Sequence, residues 1–472
     1  MPLDTTSCLA DLAAAFSGPA LLTGDDRPAR NTHDTSYLPA VTPLAVVRPG
    51  SPEEVATAVA ICARHGVPMV PQGGLTGLAG GSHPLEGAVA ISLERLGGIE
   101  EIDQAAATMT VRVGTPLEVI QKAADEAGFF FPLDLGARGS CHIGGNIGTN
   151  AGGNRVIRYG MTREMILGLE YVLPDGTLIN GLNKMIKNNA GYDLKQLFIG
   201  SEGTLGIVTR AVLRMHPKPG CVNAALCGLN SYDDVLKLLA AARRGLGPML
   251  SAFEVMWPDY WQVVTQEVGT RSPLEGQHAM YVLLESQGLD EAIDGPRFMA
   301  WIEAQFEAGV IADAAISQSL QDVKDFWGVR DACAEFTTVL GPHCAFDIGL
   351  PQSGMNAFAD ACRARLKEAM PEALSVYYGH IGDGNLHIVA LDRSARQQPM
   401  DRINRIVYET VREFGGTISA EHGIGLLKKP YLPYTRSPEE LALMARIKVA
   451  LDPKGLLNPG KVIDTPTSEV SE

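Results

Sequence analysis

Positive charge is in short supply: 39 Lys and Arg stand against 54 Asp and Glu in 472 residues, a formal net charge of −15. A general nucleic-acid binder needs a basic surface to displace phosphate counterions, so the balance argues against that class. Long apolar runs are missing too. None approaches the roughly 18–20 residues that span a bilayer. The opening MPLDTTSCLADLAAAF puts no basic stretch ahead of its apolar residues, so no secretory signal is read there. Cysteine occurs only at 8, 62, 141, 221, 227, 333, 344 and 362, never as CxxC. Thiols so scattered read as buried or inert groups in a reducing, cytoplasmic setting rather than as disulfides or a zinc ribbon. No Gly-Lys-Ser/Thr occurs, so there is no Walker A loop, and a nicotinamide-type GxGxxG with its later acidic residue is a poor fit. Internal repeats and low-complexity tracts are also lacking. Hydrophobic residues are ample at 46%, and the length suits two or three domains.

Glycine is abundant, and its densest stretch is Pro132 to Gly160, PLDLGARGSCHIGGNIGTNAGGNRVIRYG. Repeated glycine costs about 1 kcal/mol per position in a helix, so an irregular backbone is expected. Such a backbone bends sharply and comes close to a partner. Ile143, Ile147 and Val156 set the stretch apart from a disordered linker. Its bare N–H groups and small polar side chains suit a phosphate-bearing or heterocyclic ligand. A second cluster, PQGGLTGLAGGS at 71–82, follows the strand expected at 67–70, the form of a pyrophosphate loop. A third runs from Gly200 to Ile207. The three clusters together suit one ligand as long as a dinucleotide.

The chain around them reads as a helical lead-in over 1–40, then a β/α rhythm over 41–220. Ser51 is the expected N-cap of a helix with Pro52 at its first position. Pro174-Asp175-Gly176 is a hairpin turn. Pro217-Lys218-Pro219-Gly220 marks a boundary. A regular alternation of strands and helices fills 221–414, and 415–472 closes the chain.

Two short segments carry candidate chemistry. In GHIGDGNLH, residues 379–387, the Asp383-Gly384 turn can bring His380 and His387 together. In SAEHG, residues 419–423, Glu421 and His422 adjoin. Two imidazoles and a carboxylate make a three-ligand set for a borderline divalent metal with positions left open. By residue type alone, surface histidines with ordinary hydrogen bonds are the commoner case. Asp383 serves its turn. Arg330, beside Phe326 and Trp327, is either a bidentate carboxylate clamp or a solvated helix arginine paired with Asp331. Spacing alone favours the second.

Taken in order, PQGGLTGLAGGS, PLDLGARGSCHIGGNIGTNAGG, RYG, GYDLKQLFIGSEGTLGI, GHIGDGNLH, SAEHGIG and LDPKGLLNPGK resemble the FAD-dependent D-2-hydroxyacid dehydrogenases. These belong to the vanillyl-alcohol oxidase/p-cresol methylhydroxylase superfamily, and the branch includes D-lactate, glycolate and D-2-hydroxyglutarate dehydrogenases. The match spans roughly residues 40–463. It implies an α+β protein: a two-subdomain FAD-binding domain of the p-cresol methylhydroxylase type (41–220), an α+β cap or substrate domain (221–414), and a C-terminal segment (415–472) returning to the FAD domain.

By the same resemblance FAD is held by Pro71, Gln72, Gly73, Gly74, Leu75, Thr76, Gly77, Gly81 and Ser82. The long stretch contributes Pro132, Leu133, Asp134, Gly139, Ser140, Ile143, Gly144, Gly145, Asn146, Thr149, Asn150, Ala151, Gly152, Gly153, Tyr159 and Gly160. Glu202, Gly203, Gly206, Ile207 and Asn458 complete the set. His380, His387 and Glu421 correspond to ligands of a divalent metal, with zinc expected and manganese the alternative. His422 corresponds to the catalytic base and Arg330 to the group that binds the substrate carboxylate. The implied reaction oxidises a D-2-hydroxy acid to the 2-keto acid by hydride transfer to flavin N5. An external acceptor such as a quinone or an electron-transfer flavoprotein then reoxidises the flavin. Placement in the cytoplasm, peripheral to a membrane through that acceptor, and a homodimer are further expectations.

Two departures from the family pattern matter. Many superfamily members bond flavin covalently to a histidine in the first glycine loop. Here residues 73–77 hold none, and His83 lies beyond, so non-covalent FAD is expected. D-2-hydroxyglutarate dehydrogenases typically set threonine, lysine and asparagine around the substrate, where this chain aligns Ala334, Ala345 and Val389. With no cation for a second carboxylate, a D-lactate-like or apolar monocarboxylate is expected, with D-2-hydroxyglutarate the alternative. A metal-dependent hydrolase and a non-catalytic dinucleotide-binding module are the readings from other classes.

Overall fold

Ser51 does cap a helix. Its hydroxyl accepts the Glu54 amide, Pro52 opens the helix Pro52–His65, and Gly66 closes it at φ +67°. The helix buries Val55, Ala58, Val59 and Cys62; it meets the helix Thr5–Ala15, the second sheet described below, and the strand Val89–Ser92 of a four-stranded sheet of β1 (Leu21–Leu22), β2 (Ala45–Val47), β3 (Met69–Gln72) and β4 (Val89–Ser92), ordered β1-β2-β4-β3. β2, β4 and β3 are parallel, a pairing that needs crossover connections such as this helix. A second, antiparallel sheet follows: β5 (Ile99–Asp103), β6 (Thr108–Arg112), β8 (Ile166–Val172), β9 (Leu178–Gly181) and β10 (Ile207–Arg214), ordered β5-β6-β10-β8-β9. The short strands β7 (Phe129–Phe130) and β11 (His216–Pro217) pair with each other. The expected hairpin is present, with Val172 opposite Leu178.

This computed structural model describes residues 4–465. Residues 1–3 of the N-terminal lead-in and 466–472 of the C-terminal segment lie outside them. The chain divides into two units. The first holds the residues up to Gly153, Gly160–Lys218 and those from Glu421 onward; the second holds Asn154–Tyr159 and Pro219–Ala420. In the lead-in only Thr5–Ala15 is α-helical, and three-residue and four-residue 3-10 turns follow it.

The central glycine stretch departs from expectation. Ile143–Thr149 is a helix despite Gly144, Gly145 and Gly148, and ends at Asn150 with φ +51°. Packing explains it. A Cβ on Gly144 would lie 2.8 Å from the Val113 Cβ, and the Gly144 amide donates to the Val113 carbonyl at 2.9 Å. Glycine here lets a helix press against a strand end, and that contact overrides the propensity cost. The chain's last part returns to the first unit. The helix Pro438–Leu451 opens with a Ser437/Glu440 capping box. Leu457 then bridges Met69, and Asn458 donates its amide to the Met69 carbonyl at 2.7 Å.

The second unit is one antiparallel seven-stranded sheet, ordered β15-β12-β14-β13-β17-β18-β16. Its strands are β12 (Cys221–Leu229), β13 (Leu250–Met256), β14 (Met280–Gly288), β15 (Asp313–Ile316), β16 (Cys344–Gly349), β17 (Ala373–Gly379) and β18 (Asn385–Asp392). The helices Met355–Ala369 and Met400–Glu413 pack together and meet β17 and β16. Another core joins Leu226, Met256, Leu283, Val376, Tyr378 and Val389 to Val323, Phe326 and Val329 of the helix Leu320–Asp331. Tyr260 anchors it with ring centroids 5.6 Å from Phe336 and 4.6 Å from Tyr378. Burying such side chains stabilises by about 1.5–3 kcal/mol each. Strand alternation then puts unusual residues on this same face. Glu254 lies two residues from Met256, Glu285 two from Leu283, and His387 two from Val389.

Candidate functional site

The glycine loops of the first unit touch main chain to main chain. A Cβ on Gly74 would lie 2.2 Å from the Ser140 carbonyl oxygen, and one on Gly153, at φ +143°, would lie 2.1 Å from that of Asp134. The first contact seats the 71–82 loop on the 132–153 stretch, and the second folds that stretch on itself. The third loop is tied in by Asn458, whose side-chain NH2 donates to the carbonyls of Gly81 (2.9 Å) and Glu202 (2.7 Å). Glu202 sits at φ +52°, and its carboxylate accepts the amides of Ile424 (2.6 Å) and Gly425 (2.8 Å). Burial raises its pKa, against the pull of those amides and of Lys428 and Lys461. Lys461 is itself buried, donates to the His83 carbonyl at 2.7 Å, and is pushed down to about 7 by burial, against Asp34 and Glu202.

Several polar atoms around these loops are buried without a hydrogen-bond partner: Asn31 Oδ1, His83 Nδ1, His142 Nδ1 and Asn458 Oδ1. Buried polar atoms are rarely left so, because each costs free energy unless paired. Asn31 also donates to the Gln72 side chain at 2.8 Å, and His142 faces Gly73. The cluster fits a ligand rich in donors and acceptors lying along the loops. The sequence pattern singled out Gln72 and Asn458 but missed Asn31, His83, His142 and Lys461, which sit outside the glycine runs or carry no special spacing. Other expected cradle residues are occupied locally. The Thr149 hydroxyl donates to the Gly145 carbonyl (3.2 Å), and Asn150 Oδ1 accepts the Arg163 amide (2.9 Å). Tyr159 belongs to the second unit, where its hydroxyl donates to Gln287 Oε1 (2.9 Å).

In the second unit β17 ends at Gly379, and the turn at 380–384 is closed by the amides of Asp383 and Asn385 on the His380 carbonyl. It returns the chain so that the rings of His380 and His387 lie 5.1 Å apart, nearly perpendicular. Glu421 is peptide-bonded to Ala420, the unit's last residue, and offers a carboxylate oxygen that lies with one nitrogen of each histidine inside 4.8 Å. His422 comes next in the chain. The donors are of borderline softness, so these residues fit a zinc- or manganese-type ion.

Arg330 is 7% exposed, which removes the solvated-helix alternative. Its Nε donates to Glu254 Oε2 at 2.8 Å, Nη2 lies 3.3 Å from His380 Nε2, and the guanidinium sits 5.5 Å over the Tyr378 ring. The other Glu254 oxygen receives His380 Nδ1 at 2.6 Å. Burial works to raise the Glu254 pKa, but the adjoining His380 and Arg330 outweigh it and hold it at about 2. A second buried acid, Glu285, takes the Trp327 indole N–H (2.9 Å), the Ser251 hydroxyl (2.8 Å), the Gln287 amide (3.0 Å) and Arg155 (3.3 Å). Trp327 and Arg330 share one helix, so two sheet carboxylates pin it. Both acids escaped the sequence reading, although a lone Glu inside SAFEVM or YVLLES was a usable signal, because a charge within a buried strand requires a partner. Of the aligned substrate positions, Ala345 pairs with Val389 across β16 and β18. Ala334 lies one turn beyond Arg330, and Val389 is buried in the core.

The chain holds a glycine-cradled unit and an antiparallel-sheet unit, the two kinds of unit found in a p-cresol methylhydroxylase-type flavoprotein fold. The substrate-bound structure of p-cresol methylhydroxylase itself shares this fold, with a TM-score of 0.78 over 98% of both chains at 16% identity. Residues 43–181 match the FAD binding domain family, and residues 218–462 match the family of FAD linked oxidases, C-terminal domain. The chain belongs to the FAD-linked oxidases. D-2-hydroxyglutarate dehydrogenase of Xanthomonas citri pv. viticola is 43% identical over 428 residues, 90% of each chain. The mitochondrial D-2-hydroxyglutarate dehydrogenase of Bos taurus is 38% identical over 420 residues, 89% of this chain and 77% of its own.

Asn458→Ala tests the cradle. It leaves two buried carbonyls unpaired, a loss of about 2–3 kcal/mol. The purified variant should carry less flavin per chain, read as the ratio of 450 nm to 280 nm absorbance. A ratio equal to wild type would mean Asn458 does not hold the loops for the cofactor.

Proposed function

We infer that the protein is an FAD-dependent dehydrogenase that oxidises D-2-hydroxy acids to 2-keto acids. The observation that carries this reading is the 43% identity spanning 90% of both chains with a D-2-hydroxyglutarate dehydrogenase. Orphaned polar atoms beside the glycine loops support FAD binding, and FAD supplies the two-electron acceptor for the hydrogen on the substrate Cα. His380, His387 and Glu421 would hold a divalent ion, a Lewis acid that lowers the pKa of a hydroxyl. Arg330 binds and orients the substrate carboxylate through its terminal nitrogens. His422 takes the hydroxyl proton as general base. FAD is held without a covalent bond. The acceptor is external, of the quinone or electron-transfer-flavoprotein type, and the enzyme is cytoplasmic and dimeric. No helix among the described residues is long and apolar enough to cross a membrane.

The substrate side chain is apolar in this reading, because Ala334, Ala345 and Val389 give a second carboxylate nothing to pair with. A site that hydrogen-bonds a substrate group discriminates by powers of ten, while apolar pockets separate sizes only about 10–200-fold. The named relatives favour the other reading, D-2-hydroxyglutarate.

Anaerobic addition of D-2-hydroxy acids should bleach the flavin, and L enantiomers should leave it yellow. kcat/KM for D-lactate or D-2-hydroxybutyrate should exceed that for D-2-hydroxyglutarate by about tenfold or more. The reverse order would assign the dicarboxylate. Acid precipitation should release the yellow colour into the supernatant; colour left in the pellet would indicate a covalent link. His387→Ala should lower bound metal and turnover about 10–100-fold while the flavin spectrum stays intact. Full activity of wild-type enzyme stripped of metal would take the ion out of the reaction.

A further inference from the structure

We propose that Glu254 is a positioning residue that sets both the metal-ligating nitrogen of His380 and the anion-binding edge of Arg330. The proposal rests on the D-2-hydroxyacid reading above. Each carboxylate oxygen of Glu254 has its own partner, Oε2 the Arg330 Nε (2.8 Å) and Oε1 the His380 Nδ1 (2.6 Å). Glu254 is 1% exposed, so water does not substitute for either.

The first consequence concerns the histidine tautomer. A carboxylate only accepts hydrogen bonds, so the proton of neutral His380 resides on Nδ1 and the lone pair on Nε2. The Arg330 Nη2 at 3.3 Å from His380 Nε2 demands the same, because a guanidinium only donates. Two independent contacts therefore place the lone pair on Nε2, where it now faces Arg330 Nη2, and an ion at the His380–His387–Glu421 cluster would take that lone pair in place of the arginine. An acid behind a ligating imidazole also raises its basicity.

The second consequence concerns the arginine. Glu254 takes the inner nitrogen, which leaves the terminal nitrogens, Nη2 3.3 Å from His380 Nε2 and Nη1 3.5 Å from the half-exposed Asp331 carboxylate, as the edge an anion would meet. It also balances the Arg330 charge. The attraction for a substrate carboxylate then depends on the divalent ion as well as on Arg330, so anion binding and metal binding are coupled through one side chain.

Glu254→Gln separates these effects. Its amide has one acceptor and one donor end. With the oxygen toward Arg330, the NH2 faces His380 Nδ1 and drives the imidazole proton to Nε2, where it blocks ligation. With the oxygen toward His380, NH2 meets N–H at Arg330. The proposal predicts that two binding constants of the flavin-loaded enzyme diverge. Zn2+ affinity, read by chelator competition, should fall about 10–100-fold. Pyruvate affinity of the metal-free enzyme, read by flavin difference spectra, should hold or tighten several-fold, because Arg330 has lost its buried counter-charge and keeps only the half-exposed Asp331. Glu254→Asp keeps the charge and should recover part of the Zn2+ affinity.

Zn2+ affinity within twofold of wild type, or equal weakening of Zn2+ and pyruvate, would overturn the proposal. If Glu254→Gln retains no flavin, Glu254→Asp carries the test, with Zn2+ binding about tenfold weaker than wild type expected and unchanged binding contradicting it. A wild-type enzyme that binds no divalent ion would also overturn it. Wild-type flavin left unbleached by D-2-hydroxy acids would instead sink the functional reading, whatever the Zn2+ results.

Discussion

A charge withdrawn from water has to be met by another charge, and the second unit is arranged around that requirement. Glu254 and Glu285 stand on the sheet face that carries the apolar core, both 1% exposed. Breaking such a pair by removing one partner typically costs about 3–5 kcal/mol, so the residues that meet these acids are held firmly. Arg330, His380, Trp327 and Arg155 come from a helix, a turn and a short segment of the central glycine stretch. The apolar core below fixes where the sheet lies, and the acids fix what is laid over its polar end.

The first unit solves a different problem, that of bringing backbone against backbone. Side chains are absent where loops meet, and several polar atoms beside them are buried without a hydrogen-bond partner. Asn458 joins two of the loops by donating to a carbonyl on each. The same logic explains the helix Ile143–Thr149, whose glycines serve contact with Val113 rather than flexibility.

Much of this was legible in the sequence because the signals are local. The Ser51 cap, the hairpin at 174–176 and the turn joining His380 to His387 each depend on a few adjacent residues. The alternation of strands and helices in the second unit was legible as well, but the strand Asn385–Asp392 was not singled out. What was not legible is what depends on distant partners. Arg330 read as a surface arginine until its sheet partner, 76 residues away, was known. Glu254 meets His380 across 126 residues, and no local pattern announces such a pairing. The glycine helix was misread because propensity is a weak prior beside a tight tertiary contact.

The position of Asn458 bears on how the molecule comes into being. It bonds to a carbonyl 377 residues earlier in the chain, and the neighbouring Leu457 bridges a strand built from residues 69–72. A growing chain has the sheet and all three glycine loops long before it has this clasp. Through most of synthesis the cradle is open on one side, and contacts so distant in sequence form late and slowly. The last tie between the glycine loops is therefore set only when the C-terminal segment has been made, so the order of synthesis runs opposite to the order in which the loops are joined.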